Sequence, residues 1–181
     1  MAEDGFSTVT TPEERVAALT LEQRAALTGG DGMWHGRGLP EAGIGRLKVS
    51  DGPVGVRGER MTDTSSTSFP CGSALGATWD RELLGRVGRA LGTEALGKGV
   101  HVLLGPTVNL HRHPLAGRNF ECYSEDPVLT AELAVAYIDG VQGTGVGACI
   151  KHFVANEQET ERMKISAEVS ERVLRELQLT P

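Results

Sequence analysis

Five ionisable side chains in this sequence follow short apolar segments, where proteins built on parallel sheets commonly carry their chemistry. They are Asp51, Arg57, Arg118, Lys151 and His152. A carboxylate accepts hydrogen bonds, whereas arginine and lysine only donate them. Such a mixed set can bind a polar ligand through charge-assisted hydrogen bonds. The sequence therefore predicts a polar site built from these five residues.

Each member of this set also has a structural interpretation. Asp51 alone could be a turn or cap residue, and Arg57 and Arg118 could be partners in structural ion pairs. Lys151 and His152 are harder to explain in this way, because they directly follow an apolar segment. Burying a lysine is costly unless its charge is paired.

Alternating strands and helices must position these residues. Three short apolar segments are predicted strands: residues 47–49, 101–104 and 148–150. Three residues are predicted to cap the helices between and after them: Asp80, Asp126 and Ser170. This alternation favours an α/β fold with a parallel sheet, whose strand ends bring the five side chains to one rim. The polar loop at 107–125 is long for a compact domain, which favours a functional role.

The first 45 residues are interpreted as a helical lead-in to this α/β region. Thr11 and Thr20 each begin a capping-box pattern, so two short helices are predicted there, packing on the main body. Trp34 and Trp79 could each belong to the core or stack on a ligand. The expected domains are therefore residues 1–45 and 46–181.

Composition excludes several classes of protein. The net charge of -6 argues against a phosphate-tracking surface, so no nucleic-acid partner is expected. No apolar run reaches the roughly 18 residues of a membrane span, and no membrane partner is expected. The first residues lack the basic and apolar segments of a secretion signal, and the three cysteines show no CxxC spacing. A reducing, cytoplasmic location is therefore predicted.

Motifs for phosphates and metals are also weak. The glycines of 143–147 follow a predicted helix instead of a strand, which is the wrong order for a dinucleotide fingerprint. His111 and His113 have HxH spacing, but no third metal ligand is evident nearby. We therefore expect neither a metal nor an organic cofactor.

Three blocks of the sequence, in order, resemble glycoside hydrolase family 3. They are KVSDGPVGVR at 48–57, GRNFECYSEDP at 117–127 and KHFVANEQE at 151–159. The resemblance implies the first part, about half, of a (β/α)8 barrel from a retaining β-glycosidase, often a β-glucosidase. It also implies that the five residues above line the pocket for the terminal non-reducing sugar, with Arg57 orienting Asp51 or the pocket wall. The carboxylate of Asp51 could accept hydrogen bonds from two adjacent sugar hydroxyls, with Arg118, Lys151 and His152 as donors.

One departure narrows this resemblance. The family's bacterial N-acetylglucosaminidases carry a Lys-His-Phe-Pro-Gly-His-Gly block with a catalytic histidine. Here residues 151–157 read Lys-His-Phe-Val-Ala-Asn-Glu, without that histidine. This absence favours a glucosidase-like enzyme, and the combination of Asn156-Glu157 with Glu161-Arg162-Met163 resembles the multidomain cytoplasmic β-glucosidases of the family.

The chain is expected to lack the catalytic carboxyl groups. A retaining glycosidase needs two of them about 5 Å apart, and the family's nucleophile and acid/base lie in later blocks. A complete barrel takes about 250 residues, so the 181-residue chain is interpreted as a piece that needs the rest of its polypeptide or a complementary chain. The expected substrate is a β-glucoside or another small glycoside.

Three other functions remain open. The chain could be a non-catalytic carbohydrate-binding or structural fragment, or part of an exo-acting β-xylosidase of the same family. A small-molecule-binding α/β domain unrelated to sugars is a more distant possibility, and the lack of phosphate loops weighs against it.

Overall fold

The structure is a computed structural model that describes residues 11–57 and 65–181. The chain divides into two compact units, the first ending at Leu47 and the second beginning at Lys48. None of the described helices is long and apolar enough to cross a bilayer. The sequence-based domain boundary between residues 45 and 46 stays a prediction.

The first unit contains the two predicted helices, α1 (Pro12–Ala17) and α2 (Leu21–Leu27). Thr11 Oγ1 accepts a hydrogen bond from Glu14 N at 3.2 Å, and Glu14 Oε2 accepts one from Thr11 N at 2.8 Å. Thr20 and Gln23 form the same reciprocal pair at the start of α2. Both predicted capping boxes are therefore confirmed.

The second unit is built around a three-stranded parallel sheet. Its strands are β1 (Val49–Asp51), β2 (Val102–Leu104) and β3 (Gly147–Ala148), in the spatial order β1-β2-β3. In the register, Asp51 of β1 faces Leu104 of β2. The predicted parallel α/β arrangement is confirmed.

Some of the predicted strand limits were wrong, by at most two residues. β1 begins at Val49 instead of 47, and it ends at Asp51. β3 ends at Ala148, and an isolated bridge from Thr107 to Lys151 continues the pairing with the chain after β2. Hydrogen bonding to β2 sets these limits, and a local apolar pattern does not contain that information.

Helices connect the strands and flank the sheet. They are α3 (Gly72–Gly76), α4 (Arg81–Gly97), α5 (Pro127–Gln142) and α6 (Glu171–Val173), the last continuing as a π-helix over Leu174–Gln178. The predicted caps are confirmed: Asp80 accepts from Leu83 N at 2.9 Å, and Asp126 accepts from Val128 N at 2.7 Å. Ser170 caps α6 more weakly, at 3.4 Å. The sequence did not predict the short helix α3, because the residue before it, Cys71, is not one of the usual capping types. The Cys71 side chain makes no cap bond in the structure.

The core joins α4 and α5 to the sheet and to the loop after β1. Its fully buried side chains include Leu84, Leu91, Leu103, Leu133, Tyr137 and Val141. Tyr137 uses its hydroxyl to donate a hydrogen bond to Pro53 O at 3.0 Å, which satisfies a polar group that burial removes from water. A core helix thereby supports the turn that follows Asp51.

Glycines bring α4 and α5 into close contact. A Cβ atom built on Gly88 would lie 2.2 Å from Tyr137 O, and one on Gly140 would lie 2.3 Å from Gly85 O. A Cβ on Gly85 would meet Ala136 O only at 3.6 Å, which is an ordinary contact. The two helices can pack this closely only because Gly88 and Gly140 have no side chain.

This contact predicts that two neighbouring substitutions in α4 have different effects on the free energy of unfolding. Gly88→Ala is expected to lower the free energy of unfolding by about 2 kcal/mol or more, because the methyl group meets the α5 backbone. Gly85→Ala, the matched control, is expected to be neutral or to gain up to about 1 kcal/mol from helix propensity. Urea unfolding of both variants would measure this, and equal stability of the two would contradict the packing argument.

Candidate functional site

Asp51 ends β1 and begins a tight turn. Gly52 has a φ of +125°, and a Cβ atom there would lie 1.6 Å from Gly55 O, so only glycine fits. The turn closes where Arg57 N donates to Asp51 O at 3.1 Å. Asp51 and Arg57 are therefore brought to the same end of the sheet, as predicted from their spacing.

An ion pair joins Asp51 to the segment that follows β3. Lys151 Nζ lies 2.7 Å from Asp51 Oδ1, and these side chains are 16% and 31% exposed, respectively. Backbone hydrogen bonds on both sides hold Lys151: its N donates to Pro106 O, and its O accepts from Val108 N. Burial raises the pKa of Asp51, but the bond and charge of Lys151, together with the Gly52 N–H and the charge of Arg57, leave that pKa below its ordinary value. The carboxylate is therefore ionised at neutral pH.

Arg118 lies at the centre of a second charged group. It donates to Glu121 Oε1 through Nε, and its NH1 lies 3.3 Å from Glu159 Oε1. The other oxygen of Glu121 accepts from Thr107 Oγ1 at 3.0 Å. Burial raises the pKa of Glu121, but the bond and charge of Arg118, together with the Thr107 hydroxyl and the charge of Lys151, outweigh that effect and leave the pKa below its ordinary value. Glu121 is nearly buried, and its charge is tolerated because both oxygens are paired.

His152 is bonded to the buried side chain of Asn109. The backbone N of His152 lies 3.0 Å from Asn109 Oδ1, and the ring Nδ1 lies 2.9 Å from the same oxygen. Burial lowers the pKa of His152, and the positive charges of Arg118 and Lys151 lower it further. The imidazole is therefore neutral at pH 7.

A cavity of about 470 Å³ opens beside these residues. That volume lies within the usual range for small-molecule pockets. Its lining comprises Asp51, the turn at 52–55, Arg57, residues 66–68, Arg118, Phe120 and Glu121. Three of the five predicted residues thus line one cavity, and Lys151 joins them through its ion pair with Asp51. His152 does not line the cavity, but it lies near enough to Arg118 and Lys151 for their charges to shift its pKa.

The cavity wall at residues 66–68 is held by Glu94 of α4 and by Lys98, which directly follows that helix, and neither role was predicted from the sequence. Lys98 Nζ donates to Val56 O at 2.7 Å and to Ser66 Oγ at 2.7 Å. Glu94 pairs with Lys98 at 2.8 Å and accepts from Thr67 N. In the sequence, Glu94 and Lys98 show only the four-residue spacing of an ordinary surface pair, so no local signal revealed this role.

The two histidines with HxH spacing form hydrogen bonds within the loop at 107–125. His111 Nε2 lies 2.8 Å from Asn119 O, and His113 Nδ1 accepts from Leu115 N at 3.1 Å. Among residues 11–57 and 65–181, no group of three or more His, Cys, Asp or Glu side chains could hold a metal ion.

Comparison with known proteins gives a consistent set of relatives. Residues 46–181 match the model of the glycosyl hydrolase family 3 N-terminal domain. A β-glucosidase of Rhizobium radiobacter is 54% identical over 165 residues, which are 90% of this chain and 20% of that protein. A probable β-glucosidase I of Neosartorya fischeri is 49% identical over 170 residues, with 93% and 20% coverage. The chain thus spans a fifth of the length of these curated relatives.

Solved structures show the same similarity. β-Glucosidase 3B from Thermotoga neapolitana in complex with glucose is 45% identical with a TM-score of 0.85, covering 93% of this chain and 26% of that one. A β-glucosidase from Kluyveromyces marxianus in complex with glucose is 40% identical with a TM-score of 0.91, with 93% and 20% coverage.

The charged group around Glu121 predicts a pH-dependent loss of stability. Glu121→Gln is expected to lower the free energy of unfolding by about 1–3 kcal/mol at pH 7, because Arg118 loses a charged acceptor. Since the folded pKa of Glu121 lies below its ordinary value of 4.5, the difference from wild type is complete above pH 4.5. It shrinks as the pH falls through the folded pKa.

Urea unfolding at several pH values would measure this difference. Glu82→Gln is the matched control, because Glu82 pairs with Arg86 but is 85% exposed. That change is expected to cost less than about 0.5 kcal/mol. If the Glu121 variant were as stable as this control at pH 7, the charged group would contribute nothing to the fold.

Proposed function

The chain belongs to glycoside hydrolase family 3, and we propose that its protein hydrolyses terminal non-reducing β-D-glucosyl residues, with this chain supplying part of the sugar-binding subsite. Its fold is accordingly part of the α/β barrel of that family's N-terminal domain. The β-glucosidases among its relatives, two of them solved with glucose, support this substrate class.

The observation that carries the proposal is the Asp51–Lys151 pair at the edge of the cavity. A sugar hydroxyl both donates and accepts hydrogen bonds, so an ionised carboxylate beside an ammonium group can satisfy it in both directions. Such a site discriminates strongly, because an analogue that lacks the hydroxyl leaves partly buried charges without partners.

We assign the remaining roles by chemistry and position. Asp51 accepts from two adjacent hydroxyls of the sugar, while Arg118 and Lys151 donate to the ring. Arg57 orients Asp51 through the turn that its backbone closes, and lines the cavity beside it. His152 is the fifth residue of the proposed sugar-binding subsite. Glu121 holds Arg118 and does not contact the sugar in this assignment.

We place neither catalytic carboxyl group in this chain. Retention requires a free nucleophilic carboxylate and an acid/base carboxyl about 5 Å apart across the glycosidic bond. Among the lining residues that the structure describes, the carboxylates are Asp51 and Glu121, and each is bound to a cation, which suits binding and positioning. The chain alone is therefore expected to bind sugar without cleaving it.

An assay of an aryl β-glucoside and an aryl β-xyloside with the full-length gene product tests the proposed activity. Hydrolysis of the glucoside by the full-length protein, and not by this chain, is expected. Turnover by the chain alone would refute the assignment of its carboxylates. Preference for the xyloside would replace the glucosidase proposal with a xylosidase.

Asp51→Ala in the full-length protein tests the subsite itself. We expect kcat/KM for the aryl β-glucoside to fall about 100-fold or more, because removal of a charged hydrogen-bonding partner costs about 2–5 kcal/mol. Asp139→Ala, an exposed position on α5, is the matched control and should leave kcat/KM unchanged. Thermal unfolding should show that both variants remain folded, and a change below a few-fold for Asp51→Ala would remove this residue from the subsite.

A further inference from the structure

The orientation of the Asn109 side chain follows from its bond to the backbone. The peptide N–H of His152 can only donate, and it lies 3.0 Å from the Asn109 atom assigned as Oδ1. That atom must therefore be the amide oxygen and not the nitrogen. Nδ2 then faces two acceptors, His152 O and Glu157 Oε1, both at 3.5 Å. All four contacts of Asn109 agree with one orientation of its amide.

This orientation determines which nitrogen of His152 carries the proton. Nδ1 lies 2.9 Å from the same oxygen, and an amide oxygen only accepts hydrogen bonds. Nδ1 must therefore be the donor and hold a hydrogen atom. In a neutral imidazole the other nitrogen, Nε2, then has a free lone pair.

The surroundings favour the neutral ring. Arg118 and Lys151 act on the imidazole with positive charge, and Glu121 and Glu159 act with negative charge. Burial is the largest effect, and the net result is a lowered pKa. Within the described ranges 11–57 and 65–181, no protein group is hydrogen-bonded to Nε2.

We propose that Asn109 is a positioning residue, which holds His152 in the Nδ1–H form so that Nε2 accepts a hydrogen bond from a sugar hydroxyl. The inference rests on the proposed sugar subsite. It reverses the direction expected from the sequence, in which His152 donates to the sugar. Asp51 and His152 then supply acceptors to the sugar, and Arg118 and Lys151 supply donors.

Nitrogen-15 NMR of the histidine side chains in the wild-type protein tests the proton position without any assay of activity. His152 is expected to show a protonated Nδ1 and an unprotonated Nε2 at neutral pH. His111 is the internal reference, because its Nε2 lies 2.8 Å from Asn119 O and 3.1 Å from Cys122 O and must be the protonated nitrogen. A protonated Nε2 on neutral His152 would overturn the inference.

Two substitutions separate positioning from simple structural support. Asn109→Leu removes the acceptor, so His152 should lose its preference for Nδ1–H, and kcat/KM should fall about 10- to 100-fold. Asn109→Asp keeps an acceptor oxygen and adds a negative charge, which raises the pKa of His152. That variant should keep the Nδ1–H form and near wild-type kcat/KM at high pH. As the pH is lowered, this variant should lose activity at a higher pH than the wild type does, because the imidazolium form of His152 cannot accept a hydrogen bond.

The outcomes distinguish this inference from the proposed function. If the aryl β-glucoside is hydrolysed but the Nδ1–H form survives in Asn109→Leu, the role of Asn109 is overturned and the proposed function stands. The expected spectra without any glucoside hydrolysis would overturn the proposed function alone. If Asn109→Leu fails to fold, the wild-type spectrum and the pH profile of Asn109→Asp still decide the question.

Discussion

The site depends on one ion pair, between Asp51 at the end of β1 and Lys151 in the chain after β3. These residues are 100 positions apart, and β2 lies between their strands in the sheet. Because both pairings with β2 are parallel, the carboxyl ends of β1 and β3 lie at the same edge of the sheet. The sheet, the close packing of α4 on α5, and the bond from Tyr137 to the turn after Asp51 all serve to hold that edge in place.

Charged groups near the cavity are kept ionised by partners instead of by water. Lys151 lowers the pKa of Asp51 against the effect of burial, and Arg118 does the same for Glu121. The same cations help to keep His152 neutral. The result is a cavity edge with fixed donors and fixed acceptors, which is the property that selects one arrangement of hydroxyl groups over another.

The parts of this structure that depend on neighbouring residues could be predicted from the sequence. Asp80, Asp126 and Ser170 cap their helices because a short polar side chain reaches the backbone two or three residues ahead. The strand limits could not be predicted in this way, because pairing with β2 decides them.

The residues of the candidate site also divide into those that the local sequence indicates and those that only distant contacts reveal. Asp51 and Lys151 were recognised from their place after apolar segments, whereas Lys98 and Asn109 act on residues more than thirty positions away. In our proposal the direction of the His152 hydrogen bond also depends on Asn109, which lies 43 positions away, so the local sequence does not contain that information. The role of all five residues in binding sugar remains a proposal.

A crystal structure of the full-length protein with glucose would test the central claim most directly. The account predicts glucose in the cavity beside the turn at 52–55, with the Asp51 carboxylate accepting from two adjacent hydroxyls and Lys151 donating to the ring. Glucose bound elsewhere, or bound in the cavity without contact to Asp51, would contradict it.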